Sequence, residues 1–190
     1  MLCSLNEIDL QVRKAVRGAG YGWGLAEEAG KAARWLSCRE FAAVPAFLGL
    51  CARFDRSAYE AIAPASPEGV WAAPGGILCP LIAGVTLRDF APDRMEGGPM
   101  AFPIIFAAFA VPAGYALEGG ELTAPAVARL TCRRRSQPSR DGAEIAPPPG
   151  VTVDDDNWRG IDNFARRTYV PASDVSRRTG AGAGTVVDND

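Results

Sequence analysis

The chain has 190 residues, is 48 % hydrophobic and carries a formal net charge of −2. That length supports one ordinary core, and the slight acidic excess argues against a nucleic-acid or anionic-membrane partner, which would call for a basic surface. Histidine is absent, which removes the usual neutral-pH general base and the commonest zinc ligand, and with them Ser-His-Asp and Cys-His nucleophiles.

The first third reads as helical. Ser4 and Glu7 have capping-box spacing, in which each side chain satisfies an orphan backbone N–H. Leu5, Ile8, Val12 and Ala15 recur three and four apart and predict a helix that Gly18 stops. The string Gly18-Ala19-Gly20-Tyr21-Gly22-Trp23-Gly24 then feeds a second helix, expected over 25–37. Leu25, Ala29, Ala32 and Leu36 share its inner face, and Glu27 is spaced to pair with Lys31. A third helix is expected over 44–54, with Pro45 in its first turn and Val44, Phe47, Leu48, Cys51 and Phe54 inward. A short helical turn is expected over 56–62, before the break at Pro64 to Pro67.

From residue 70 the pattern turns β-rich. Val70-Trp71-Ala72 is a strand candidate closed by Pro74-Gly75-Gly76. The apolar runs 77–87 and 100–111 flank a polar loop and suggest a buried hairpin, although periodicity does not separate strand from buried helix in either. Pro103 and Pro112 interrupt the most apolar stretch, which is too short and broken to span a membrane. Ala128, Leu130 and Cys132 alternate with Arg129, Thr131 and Arg133, the clearest strand pattern present. Residues 134–150 form a polar, Pro-rich connection, and Val151 to Val153 offer one more short strand. Asp154 to Asp156 then put negative charge at the start of a helix carrying Trp158, Ile161 and Ala165. The expected fold is α+β in one domain, 1–190. N-terminal helices (about 1–63) pack on a mostly antiparallel sheet (about 70–153), followed by a C-terminal helix and extended tail (154–190).

The glycine-rich loop is the candidate site. Gly18, Gly20, Gly22 and Gly24 let a ligand approach the backbone, free amides at the helix start favour an anion, and Tyr21 and Trp23 offer an apolar wall. The string lacks the third glycine of a dinucleotide fingerprint and the Lys of a P-loop. Its alternative is a plain helix–helix turn. Cys79, near Gly75-Gly76, is either a nucleophile activated by a nearby Arg or a buried structural thiol. The five cysteines are scattered and form no disulfide or metal framework. Arg133 to Arg135 read as a phosphate patch or a solvated loop edge, and the Gly180 to Gly184 string with the acidic end Asp188 to Asp190 as a tail or a weak cation site.

Three strings carry a family resemblance: Ser4-Leu5-Asn6-Glu7-Ile8, the stretch Ala15 to Leu36, and Thr168-Tyr169-Val170-Pro171-Ala172-Ser173 through Asp190. They resemble a bacterial family of small soluble proteins catalogued only as a domain of unknown function. The resemblance implies a stand-alone cytoplasmic protein of small-molecule metabolism and supplies no catalytic residue. Two functional expectations follow. One is a protein that binds a small anionic metabolite, or a His-independent metabolic enzyme, with its site at residues 18–24. The other is a non-catalytic accessory or assembly subunit, found as a homo-oligomer or hetero-complex. No cofactor, metal, nucleic acid or membrane is called for by either.

Overall fold

The computed structural model describes residues 1–136 and 146–169. Expectations for the Pro-rich connection fall partly outside these residues, and those for the tail beyond Tyr169 wholly so. A short strand β1 (Leu2–Cys3) leads into α1 (Leu5–Gly18). The capping box forms as expected: the Glu7 N–H donates to Ser4 Oγ at 3.2 Å and the Ser4 N–H to Glu7 Oε2 at 2.7 Å. Leu5, Ile8, Val12 and Ala15 are all buried, joined by Val16. Next come α2 (Trp23–Ser37), α3 (Ala43–Arg53) and the single turn α4 (Tyr59–Ile62). In α3, Val44, Phe47 and Cys51 face inward as expected, while Leu50 takes the fully buried place expected of Leu48.

β2 (Val70–Trp71) is followed not by a hairpin but by α5 (Pro80–Phe90), then β3 (Arg94–Gly97), β4 (Met100–Ala101) and α6 (Pro103–Ala110). The expected buried hairpin is therefore replaced by two helices packed on each other. Both open on a proline in the first turn, where a missing N–H costs nothing. The Thr86 hydroxyl donates back to the Ile82 carbonyl at 2.9 Å, so α5 buries no unpaired hydroxyl. Every residue of α6 is buried, and a helix covered on all sides shows no amphipathic period to read.

The remaining strands are β5 (Tyr115–Glu118), β6 (Ala126–Val127), β7 (Leu130–Arg134) and β8 (Val151–Thr152). The main sheet has the order β2-β3-β7-β5, antiparallel except for the β2–β3 pair. β1–β8 and β4–β6 form two small antiparallel pairs. The strand expected over 127–133 is broken at Ala128–Arg129, where both residues are exposed, so Ala128 does not share the buried face of Leu130 and Cys132. Asp154 caps α7 (Asp155–Ala165), its Oδ1 accepting from the Asp156 and Asn157 amides at 3.0 and 3.1 Å. α7 packs on α1 and α3.

The architecture is α+β, with α5 and α6 as its middle layer. Leu81, Ile82, Ile105 and Phe109 face the N-terminal helices. Ala83, Leu87, Phe106 and Ala110 face Trp71, Met95, Leu130 and Cys132 of the sheet side. No helix among the described residues is long and apolar enough to cross a membrane.

The α5–α6 contact is close because Gly84 has no side chain: a Cβ there would meet the Phe109 ring. Gly84→Ala is expected to cost about 1–3 kcal/mol, seen as a lower urea midpoint with an unchanged m-value. A strand at this position would give the opposite sign, because glycine weakens strands.

Candidate functional site

The loop between α1 and α2 is built by local backbone geometry and one distant segment. α1 ends at Gly18 because α7 crosses there, where any Cβ would strike the Phe164 carbonyl. Gly20 adopts φ +105°, a conformation that penalises side chains. Arg17 ties the turn down: its Nη1 donates to the Tyr21 carbonyl at 2.9 Å, and its guanidinium sits 5.3 Å from the Trp23 ring centroid. From elsewhere in the chain, the Arg56 N–H donates to the Ala19 carbonyl at 2.8 Å.

Gly22 is the N-cap of α2 and has no side chain to satisfy the first-turn amides, and that turn holds no acidic residue. The positive end of a 15-residue helix therefore emerges here without a protein carboxylate to offset it. The Arg56 side chain, alongside Gly20, makes no ion pair among the described residues.

These pieces enclose a recess of about 150 Å³. Gly20, Tyr21 and Gly22 form one wall. Phe54, Ile62 and Ile82 line it as buried apolar residues, and Ser57 and Tyr59 add exposed hydroxyl-bearing side chains. Three of the six expected loop residues thus line the recess and three do not. Gly18 is a helix–helix contact. Trp23 turns outward, 59 % exposed, and stacks on Arg17 instead of walling the recess. Gly24 belongs to a separate open hollow beside Glu28, Arg88 and Asp89. In that hollow Glu28 pairs with both Lys31 and Arg88, so the expected Glu27–Lys31 pair does not form: a tertiary cation draws the cluster one residue along. Residues 54–62 and Ile82 carry no loop motif, and only the tertiary fold brings them to Gly20.

Behind the recess, the Tyr21 hydroxyl and Cys79 Sγ share a buried hydrogen bond at 3.4 Å. Burial pushes the Cys79 thiol up, with the Tyr21 hydrogen bond opposing, and burial also pushes the Tyr21 phenol well up. The Gly75 and Gly76 amides are consumed by the Ala61 and Ala73 carbonyls at 2.7 and 2.9 Å. Cys79 is therefore the buried structural thiol of the two readings, protonated at neutral pH, and the Gly75 and Gly76 amides are not free to hold an oxyanion beside it. Burial likewise pushes Cys51 up to about 12. Arg134 is occupied by the Ala91 carbonyl and the Tyr115 hydroxyl, at 2.8 and 3.0 Å, and is no free phosphate ligand.

Residues 3–95, a little under half of the chain, match the model of a family described as "Protein of unknown function (DUF3726)". Every residue lining the recess lies within that stretch. No curated protein and no solved structure matches the chain.

Two glycine substitutions are expected to shift stability in opposite directions. Gly18→Ala is destabilising by about 1–3 kcal/mol through its clash with α7. Gly24→Ala, in open space within the first turn of α2, stabilises by up to about 1 kcal/mol. Urea midpoints check both signs. For Cys51, the unfolded chain releases its proton near 9.0 while the folded state holds it to about 12. Stability then falls as pH rises through that window, and a thiol reagent at pH 8 labels half-buried Cys38 while Cys51 and Cys79 react only on unfolding.

Proposed function

We propose that this protein binds a small anionic metabolite in the recess beside Gly20 and Gly22. The observation that carries the reading is the meeting of a cavity and an uncapped helix start, the recess and the first turn of α2, with Arg56, which makes no ion pair among the described residues, adjoining Gly20 next to the recess. A helix N-terminus supplies fixed N–H donors at no cost in reorganisation, and an exposed guanidinium adds a bidentate partner for carboxylate or phosphate. The apolar interior formed by Phe54, Ile62 and Ile82 would hold the uncharged part of the ligand.

The same recess offers donors and no base. Tyr21 and Cys79 keep their protons at neutral pH because both are buried, so recognition fits the site better than turnover. Five free cysteines, none in a disulfide, suit a reducing compartment such as the bacterial cytoplasm.

A thermal-shift panel of mono- and dicarboxylates and phosphomonoesters tests the reading. A ligand at a hundredfold excess over its Kd adds about 2.7 kcal/mol and raises the melting temperature by several degrees. Gly22→Val should abolish the shift while leaving the fold intact. Position 22 has extended backbone, and a Cβ there meets nothing within 4 Å, so valine is tolerated and fills the mouth. An absent shift across the panel, or one that survives Gly22→Val, removes the proposal.

A further inference from the structure

We propose that the recess beside Gly20 is also the docking site of the chain's own segment 185–190, Thr-Val-Val-Asp-Asn-Asp, which competes there with the anionic metabolite. The inference rests on the reading of the recess given above and adds a second occupant to it.

From Tyr169 the recess is close. Arg167 donates to Asp55 Oδ1 at 2.7 Å, and its Cβ lies 3.4 Å from where a side chain on Gly18 would begin. Asp55 sits between the recess-lining Phe54 and Ser57, and Gly18 directly precedes the recess-lining Ala19. Tyr169 then covers Lys14, whose Nζ is 5.5 Å from its ring centroid. The stretch from Val170 to Asp188 spans up to roughly 60 Å when extended, so Asp188 reaches the recess with slack.

The surface around the recess is short of carboxylates. Lys14, Arg17 and Arg56 make no ion pair among the described residues: Lys14 rests on Tyr169, Arg17 on Trp23 and the Tyr21 carbonyl, and Arg56 packs over Gly20. Asp55 is taken by Arg167, which leaves exposed Glu60 as the one unpaired acid of the stretch 54–62. Three cations against one acid make this a positive patch on a chain whose net charge is −2. The segment 185–190 brings two aspartates, and no cation occurs after Arg178. The charges are complementary.

Apolar character matches as well. Trp23 beside Gly22, Tyr59 in the recess wall and Tyr169 are each more than half exposed, and exposed aromatics gathered at the mouth of an apolar cavity mark a contact surface. Val186 and Val187 adjoin Asp188, so the segment carries both the apolar body and the negative charge that the recess selects. The recess of about 150 Å³ holds roughly five water-sized units, the bulk of one valine side chain with a carboxylate at the mouth. Because the segment is tethered, its effective concentration is on the order of millimolar, and a contact of that strength suffices to hold it. A metabolite then binds with its affinity lowered by the fraction of recesses left open.

Amide-resolved NMR on the full chain tests this, comparing wild type with Asp188→Asn/Asp190→Asn and with Val187→Ser, alone and titrated with succinate and with glycerol phosphate. With no anion added, the Gly20, Gly22 and Ser57 amides are expected to move in both variants. The two probes should bind the aspartate variant about three- to tenfold more tightly than wild type. Amides that stay in place, with equal probe affinities, overturn the inference and leave the metabolite reading standing. Amides that move while no member of the thermal-shift panel binds any of the chains support the segment as occupant and remove the metabolite. A response to the aspartates that Val187→Ser does not share is long-range attraction without docking, and overturns the inference. Movement that is lost on dilution assigns the segment to the recess of a second copy, which overturns the intramolecular contact.

Discussion

α6 has no side that faces water, and that single fact organises the molecule. All eight of its residues are buried, so α5, α2, α3 and the sheet must cover it from different directions. Burying Ile104, Ile105, Phe106 and Phe109 contributes about 1.5–3 kcal/mol each. Together these are of the same order as the net stability of a domain this size. Because Phe106 and Ala110 point to the sheet while Ile105 and Phe109 point to the N-terminal helices, the two apolar clusters are joined through one helix. The helical half and the sheet half cannot separate without exposing α6.

α2 gains its place from this arrangement. It packs on α1, α3, α5 and α6, and its interior positions Ala26, Ala29, Ala33 and Leu36 are fully buried. Its start borders the Gly20–Gly22 recess, its first two turns the open hollow beside Arg88, and its last residue, Ser37, a further cavity. A helix held this firmly presents backbone donors with little freedom to drift, which is what recognition by fixed dipoles requires. The small residues along α2 let the other helices approach closely.

How much of this the sequence makes legible depends on how local each cause is. The Ser4–Glu7 box and the Asp154 cap are complete within four residues, so α1 and α7 can be read directly. The α+β class follows from the helical stripe up to residue 37 and the alternation around Leu130. α5 and α6 are opaque because burial on two sides erases the polar face that would reveal their period. The Pro80 and Pro103 starts are the local signal that could have identified them. Half of the recess is legible in Gly20, Tyr21 and Gly22. The other half, from Phe54 to Ile82, is assembled by tertiary contact alone. Trp23 misleads for a related reason: Arg17, six residues earlier, captures its ring outside.

The two cavities at the ends of α2 share one feature. Each lies beside apolar residues at the start of a helix that lacks a side-chain cap, so its partial positive charge comes from backbone amides that do not titrate. What differs is the neighbour. Arg56 adds a positive charge beside Gly20, whereas Asp154 adds a negative one across from Ser37. The charges near the two cavities therefore differ in sign.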